Sequence, residues 1–195
     1  MNYQPSNSLN FSLETSLTRN PSKAQYITQK DFGATTRYLL GEIDFVTLTT
    51  SLRANYSINP NLSVQLYASP FISRGKYTNF SYATNTTDKN FNNRANWLTN
   101  SQITSSNNSY LVDENTDAVT DYSFSNPDFA YVQFQSNLVV RWEYVPGSEI
   151  FLVWSRGVSG GADVNDSLLT SINKQAFNQP ADDTFLIKAT YRFIM

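Results

Sequence analysis

The sequence predicts an all-β chain, an antiparallel up-and-down transmembrane β-barrel of about seven strands, on three observations. Apolar and polar residues alternate with period two through most of the chain, as strands with two different faces require. The connections between those segments run tight, longer, tight, very long, tight, long. Aromatics are abundant, with 12 Tyr and 13 Phe, whereas charged residues make up 15%, against about 25% in typical globular domains. Hydrophobic content of 40% and a mean hydropathy of −0.40 do not oppose a barrel, because lumen positions and loops are polar and only alternate strand positions need be apolar.

The first strand is placed at about 8–18, with Leu9, Phe11, Leu13 and Leu17 on one face and Asn10, Ser12, Glu14 and Ser16 on the other. Residues 19–22, Arg-Asn-Pro-Ser, carry turn chemistry. A second strand covers about 24–29, and Gly33 pivots a loop at 31–36. The third strand, 37–58, sets Val46, Leu48, Leu52, Ala54, Tyr56 and Ile58 opposite Thr47, Thr49, Ser51, Arg53 and Asn55. After the turn Asn59-Pro60-Asn61, the fourth, 62–80, sets Leu62, Val64, Leu66 and Ala68 opposite Ser63, Gln65, Tyr67 and Ser69.

Residues 81–127, rich in Asn, Ser, Thr and Asp, form a connection of a length that is usually functional or mobile. The fifth strand, 129–144, alternates Val132, Phe134, Leu138, Val140, Trp142 and Tyr144 with Gln133, Gln135, Asn137, Arg141 and Glu143. Pro146-Gly147 turns into a sixth strand, 149–156, and a second long connection, 157–183, has room for a short helix at 166–177. The last strand, 184–195, carries Phe185, Ile187, Ala189, Tyr191 and Phe193 on one face and Lys188, Thr190 and Arg192 on the other. Strict up-and-down threading puts the turns at Pro21, Pro60 and Pro146 at one end, the periplasmic end of a barrel, and leaves 81–127 and 157–183 extracellular.

Several functions are excluded or disfavoured. The chain has no Cys and no His, so thiol chemistry, Cys-ligated zinc and every Ser-His or Cys-His arrangement are absent. A net charge of −2 and a pI near 5.1 give no footprint for nucleic acid. No apolar run is long enough for a transmembrane helix. The first residues lack the basic and apolar regions of a signal peptide, so the expectation is a C-terminal piece of a longer exported chain. Asp182 and Asp183 could pair as acid and base, but neighbours on an extended chain face opposite ways; the chain is not expected to be an enzyme. The acidic stretches 113–117 and 163–166 offer hard oxygen ligands, but without a D-x-[DN]-x-[DN]-G loop they read as solvated loops, and neither a metal nor a cofactor is expected.

Arg53, Gln65, Tyr67, Arg141, Glu143, Lys188 and Arg192 are the lumen-facing candidates, as cross-strand filling or as a permeation surface. Trp142, Tyr144, Trp154, Tyr191 and Phe193 suit the membrane interface, where amphipathic rings sit at headgroup level. Phe91, Trp97 and Tyr110, in the long polar connection, are candidates for stacking on sugar rings or for loop packing.

Three stretches, LTTSLRANYSINPNLSVQLYASPFISRGKYTNF, FQSNLVVRWEYVPGSEIFLVWSRG and PADDTFLIKATYRF, resemble the C-terminal barrel region of a Gram-negative outer-membrane family of unknown function. Its full-length members carry an N-terminal domain similar to family 9 carbohydrate-binding modules. The block from Arg141 to Trp154 is the most specific part of the likeness. Two departures stand out: Ile194 and Met195 follow Phe193 where the family ends on an aromatic residue, and the carbohydrate-binding-like domain is not in this sequence. The resemblance implies an outer-membrane location, with lipid, lipopolysaccharide and further strands of the same chain or a partner as neighbours, and a possible glycan. The alternative is a soluble carbohydrate-binding β-sandwich with Asn-rich binding loops.

Overall fold

The computed structural model describes residues 1–193, so Ile194 and Met195, the expected end of the last strand, lie outside the described residues. The elements, in chain order, are β1 (Asn2–Ser6), β2 (Leu9–Phe32), β3 (Thr35–Asn59) and β4 (Leu62–Ala83), then a 3₁₀ turn (Phe91–Asn93). There follow β5 (Ala95–Trp97), β6 (Ile103–Ser106), β7 (Ser109–Val112), β8 (Tyr122–Ser125), β9 (Phe129–Val145), β10 (Ser148–Gly161), helix α1 (Leu168–Asn178) and β11 (Asp182–Ala189). The expected all-β, antiparallel character is present. Eight strands form one sheet in the order β1-β2-β3-β4-β9-β10-β11, with β5 on β4, and β6-β7-β8 form a second. The expected closure is not: β1 and β11 are opposite ends of an open order, and no barrel is closed among the described residues.

β1 is a strand the sequence reading does not place, and the boundaries of other strands differ from expectation at several points. Residues 19–22 do not turn; β2 runs straight through Pro21. Arg19 holds the strand to β3 there with a forked pair, Nε to Asp44 Oδ1 at 2.6 Å and Nη2 to Asp44 Oδ2 at 2.8 Å. The polar connection after β4 is not featureless, because it holds the 3₁₀ turn, β5 and the whole second sheet. β10 extends to Gly161, paired with Tyr131 of β9, rather than stopping near 156. β11 stops at Ala189, although Glu149 and Thr190 still exchange both backbone hydrogen bonds, at 2.8 and 3.1 Å. The short helix expected at 166–177 is present as α1; Ser167 caps it, its Oγ accepting from the Thr170 amide at 3.1 Å.

Among the described residues five connections are two-residue turns: 7–8, 33–34, 60–61, 107–108 and 146–147. Gly33 (φ 57°) and Gly147 (φ 80°) supply the left-handed backbone that tight hairpins need. At 60–61 the Asn59 side chain accepts from the Asn61 amide at 2.9 Å, an Asx turn. Antiparallel order sets the turns at 7–8, 60–61 and 146–147 at one end of the strands. The connections 84–128 and 162–181 fall at the other, together with the tight turn 33–34.

The chain divides into two compact units, to which β2, β3 and β4 each contribute residues: Met1–Thr18, Thr47–Ser73 and Ala130–Met195 form one, Arg19–Val46 and Arg74–Phe129 the other. The second unit has the main apolar core. Leu39, Phe80, Val112, Tyr122 and Phe124 are buried, with Ile27, Phe32, Tyr77, Tyr82, Leu98, Ile103 and Tyr110 packed around them. In the first unit burial is sparse: Ile72, Val132, Val158, Ala130 and Ala176 are enclosed, while Leu17, Leu152, Phe185 and Ile187 are exposed. Among the described residues no helix is long and apolar enough to cross a membrane.

Candidate functional site

The first unit presents two contrasting sheet faces where β9, β10 and β11 pair. Register aligns Arg141, Phe151 and Lys188 in one cross-strand row. The Arg141 guanidinium is held by Glu149 and, at 3.6 Å, by Glu143, and Lys188 Nζ lies 5.9 Å from the centre of the Phe151 ring. One residue along each strand, Val140, Leu152 and Ile187 align in the next row, then Leu138, Trp154 and Phe185 two further on. Period two puts these six apolar residues on the other face, where they line an apolar cleft of about 320 Å³. Trp154 stacks on Phe185 (6.3 Å between ring centres, 14° between planes), and its indole N–H donates to Asp183 at 2.8 Å.

The other sequence-selected residues of this unit separate into groups. Arg53 lies over the Tyr67 ring at 4.9 Å, so these two share a face; Gln65, two residues from Tyr67 on β4, is exposed. Glu143 also accepts from the Gly147 amide at 2.8 Å, which ties it to the turn. Arg192 lies beyond the end of β11; its side chain crosses that turn closely enough that a Cβ on Gly147 would meet its Cδ at 2.5 Å. Trp142 and Tyr144 meet edge to face at 6.1 Å, as do Tyr191 and Phe193 at 4.8 Å.

The second unit holds an ion pair that nothing in the sequence marked. Arg37 Nε donates to both Glu114 oxygens, at 2.9 and 3.0 Å, joining β3 to the stretch after β7. The guanidinium sits over Tyr82 at 4.4 Å and Phe32 at 5.0 Å, and the Tyr122 hydroxyl donates to Glu114 at 3.3 Å. Burial first, and then the neighbouring Glu114 charge, push the Tyr122 phenol well above its ordinary value. The partners are 77 residues apart in sequence, so no spacing pattern could have announced them.

Of the three candidates for sugar contact in this unit, two come together. Phe91 and Trp97 line one cavity of about 160 Å³, with Lys23, Leu40, Ser81 and Arg94 among the other walls. Tyr110 does not join them. It belongs to the core packing, stacked on Phe124 at 5.3 Å and tilted against Phe80 at 4.5 Å. Among the described residues there is no group of three or more carboxylates, His or Cys placed to hold a metal ion.

A family model described as a domain of unknown function, DUF5916, matches residues 1–194. The chain belongs to the DUF5916 family. No curated protein and no solved structure matches it. The DUF5916 match spans both the amphipathic sheet of the first unit and the cored second unit, so both belong to one family domain.

Proposed function

We propose that this DUF5916 chain is part of an outer-membrane β-barrel of a Gram-negative cell, serving as membrane anchor or pore rather than as an enzyme. The observation that carries the reading is the apolar face of β9–β11, left open with Phe185 76%, Ile187 74% and Leu152 46% exposed, back to back with the row holding Arg141 and Lys188. Soluble domains rarely leave so continuous an apolar surface bare, whereas a barrel turns it to lipid. Strand length agrees: β2, β3 and β4 have 24, 25 and 22 residues, more than the roughly 9–11 that span a bilayer. The main path has seven strands, so β1 and β11 run the same way and cannot pair as antiparallel neighbours. Closure then takes further strands, from a longer chain or a partner. We read the chain as the C-terminal barrel region of such a protein, with lipid and lipopolysaccharide as neighbours and glycan handling supplied by an upstream domain similar to family 9 carbohydrate-binding modules.

The second reading, a soluble carbohydrate-binding β-sandwich, is supported by the open sheet and by the packing inside the second unit. There Val112, Tyr122 and Phe124 of the small sheet share a core with Leu39 and Phe80 of the large one, as two sheets do in a sandwich. This architecture is nearer to the sandwich than to a closed barrel. Fractionation decides between them. In the native cell the barrel reading expects the protein in the outer-membrane fraction, released only by detergent and with heat-modifiable migration. Recovery in the soluble fraction without detergent would overturn it and leave the sandwich.

A further inference from the structure

We propose that the cleft where Glu42, Asn79 and Trp97 meet binds a neutral hexopyranose, the indole as its platform and the amide–carboxylate pair as acceptors for its hydroxyls. This rests on the carbohydrate reading of the second unit and names the sugar class; it does not depend on whether the long strands cross a membrane. Glu42, Asn79, Trp97 and Leu98 line a cleft of about 320 Å³, and all four belong to the second unit. That volume falls at the small end of the roughly 300–1,000 Å³ of ligand pockets. Three elements supply the lining: Glu42 lies on β3, Asn79 on β4 and Trp97 on β5. β5 pairs with β4 so that Trp97 stands opposite Ser81, two residues along from Asn79.

The polar heads of this cleft are fixed to each other. Asn79 Nδ2 donates to Glu42 Oε2 at 2.6 Å, which sets amide and carboxylate side by side. The backbone helps to aim them. Asn79 has left-handed backbone (φ 48°) inside β4, and Tyr77 and Phe80, three residues apart, both pack in the core. An odd spacing on one face means one extra residue between them, as in a β-bulge, which re-aims a side chain. That single bond leaves Glu42 Oε1 and Asn79 Oδ1 as acceptors, and Glu42 has no ion-pair partner among the described residues. Acceptors beside a half-buried indole suit a ring with hydroxyl donors on its edge and C–H groups on its face. A carboxylate with no cation at the lining repels an acidic sugar, so the class is neutral.

The test is ligand-observed NMR on the intact chain with glucose, galactose, mannose, glucuronate and choline, alongside Asn79→Gly, Glu42→Gln and Trp97→Leu variants. Asn79→Gly separates binding from folding, because glycine takes left-handed backbone without strain while the amide is lost. Amide-exchange protection of β6–β8 serves as the folding control. The expected result is saturable binding of at least one of the three hexoses, at least tenfold tighter than glucuronate. Asn79→Gly and Glu42→Gln each weaken it at least fivefold, and Trp97→Leu abolishes it. Hexose binding unchanged by Asn79→Gly and Trp97→Leu would overturn this site and leave the carbohydrate reading standing. Glucuronate bound as well as any hexose would overturn the neutral class. Choline bound in preference to every sugar would overturn the sugar itself, since an indole beside a carboxylate also holds a quaternary ammonium. No binding of any probe to a folded chain would overturn the site.

Discussion

Replacing Arg37 by Met tests what holds the second unit together. The substitution keeps an unbranched chain beside Tyr82 and Phe32 but leaves Glu114, whose side chain is 5% exposed, without its cation. Removing one partner of a buried pair costs about 3–5 kcal/mol, because the remaining charge stays desolvated. Arg37 is 22% exposed and water can reach the vacated position, so the lower end, about 3 kcal/mol, applies. The Tyr122 hydroxyl remains as a single neutral donor at 3.3 Å. Hydrogen exchange of the amides in β7 and β8 reads the loss directly, and 3 kcal/mol corresponds to roughly 150-fold faster exchange. Adding Glu114→Gln removes the stranded charge and restores about 2 kcal/mol, a non-additivity expected of groups in contact. Arg19→Met is the control: its pair with Asp44 is equally well formed but 68% and 43% exposed, so solvent screens it and its loss is expected to change exchange far less. If Arg37→Met changed exchange by less than threefold, or no more than Arg19→Met, the idea of a buried electrostatic lock would be wrong.

Val140→Arg is expected to impair membrane assembly far more than Arg141→Val, by about 2–4 kcal/mol for an Arg turned to lipid; heat-modifiable migration after expression checks it, and the reverse order would reject the assigned faces. Protease added to intact cells is expected to cut the exposed bend around Thr116 and Ala118, both with left-handed backbone, beside Val119 at 64% exposure, and to spare the turn at 60–61; mass spectrometry of the fragments shows which is cut. The raised phenol of Tyr122 makes stability depend on alkaline pH. Below its ordinary pKa of about 10 the group is neutral in both states and costs nothing, but as pH rises beyond that the unfolded chain ionises first and stability falls up to the folded value. Urea midpoints between about pH 9 and 11 should therefore decline less steeply in Tyr122→Phe than in the parent.

What could be read in advance was whatever repeats locally. The alternation of Val140 with Arg141, or Ile187 with Lys188, is set by neighbours in sequence, and the pairing register keeps those residues on the faces the alternation assigns. Pro21 misled because turn chemistry is judged over four residues, whereas β2 is held past it by the pair of Arg19 with Asp44, which are 25 residues apart. The second sheet was hidden by its brevity: strands of four residues put at most two apolar positions on either face, too few for a period to emerge from a polar background. Tyr110 looked like a loop aromatic for the same reason, and only the fold places it between Phe80 and Phe124. Phe91 and Trp97 were legible as aromatics in a polar loop; that Lys23, far off in β2, joins them was not.

The small sheet also bears on how the chain reaches its final form. Most neighbouring strands are joined by two-residue turns and can zip up within microseconds of one another. Along the main order of the sheet two pairs are exceptions: β10 with β11, whose connection 162–181 holds α1, and β4 with β9, whose pairing must close the longer connection 84–128. A disordered segment of that length would lose entropy that grows with the logarithm of the residues enclosed. With the β6–β8 meander formed first, through its own short-range pairings, the effective ring to be closed is shorter, an order that φ-values in β6–β8 would test. Residues that look like decoration are thereby expected to act as a kinetic splint for the pairing with the longest connection in the sheet.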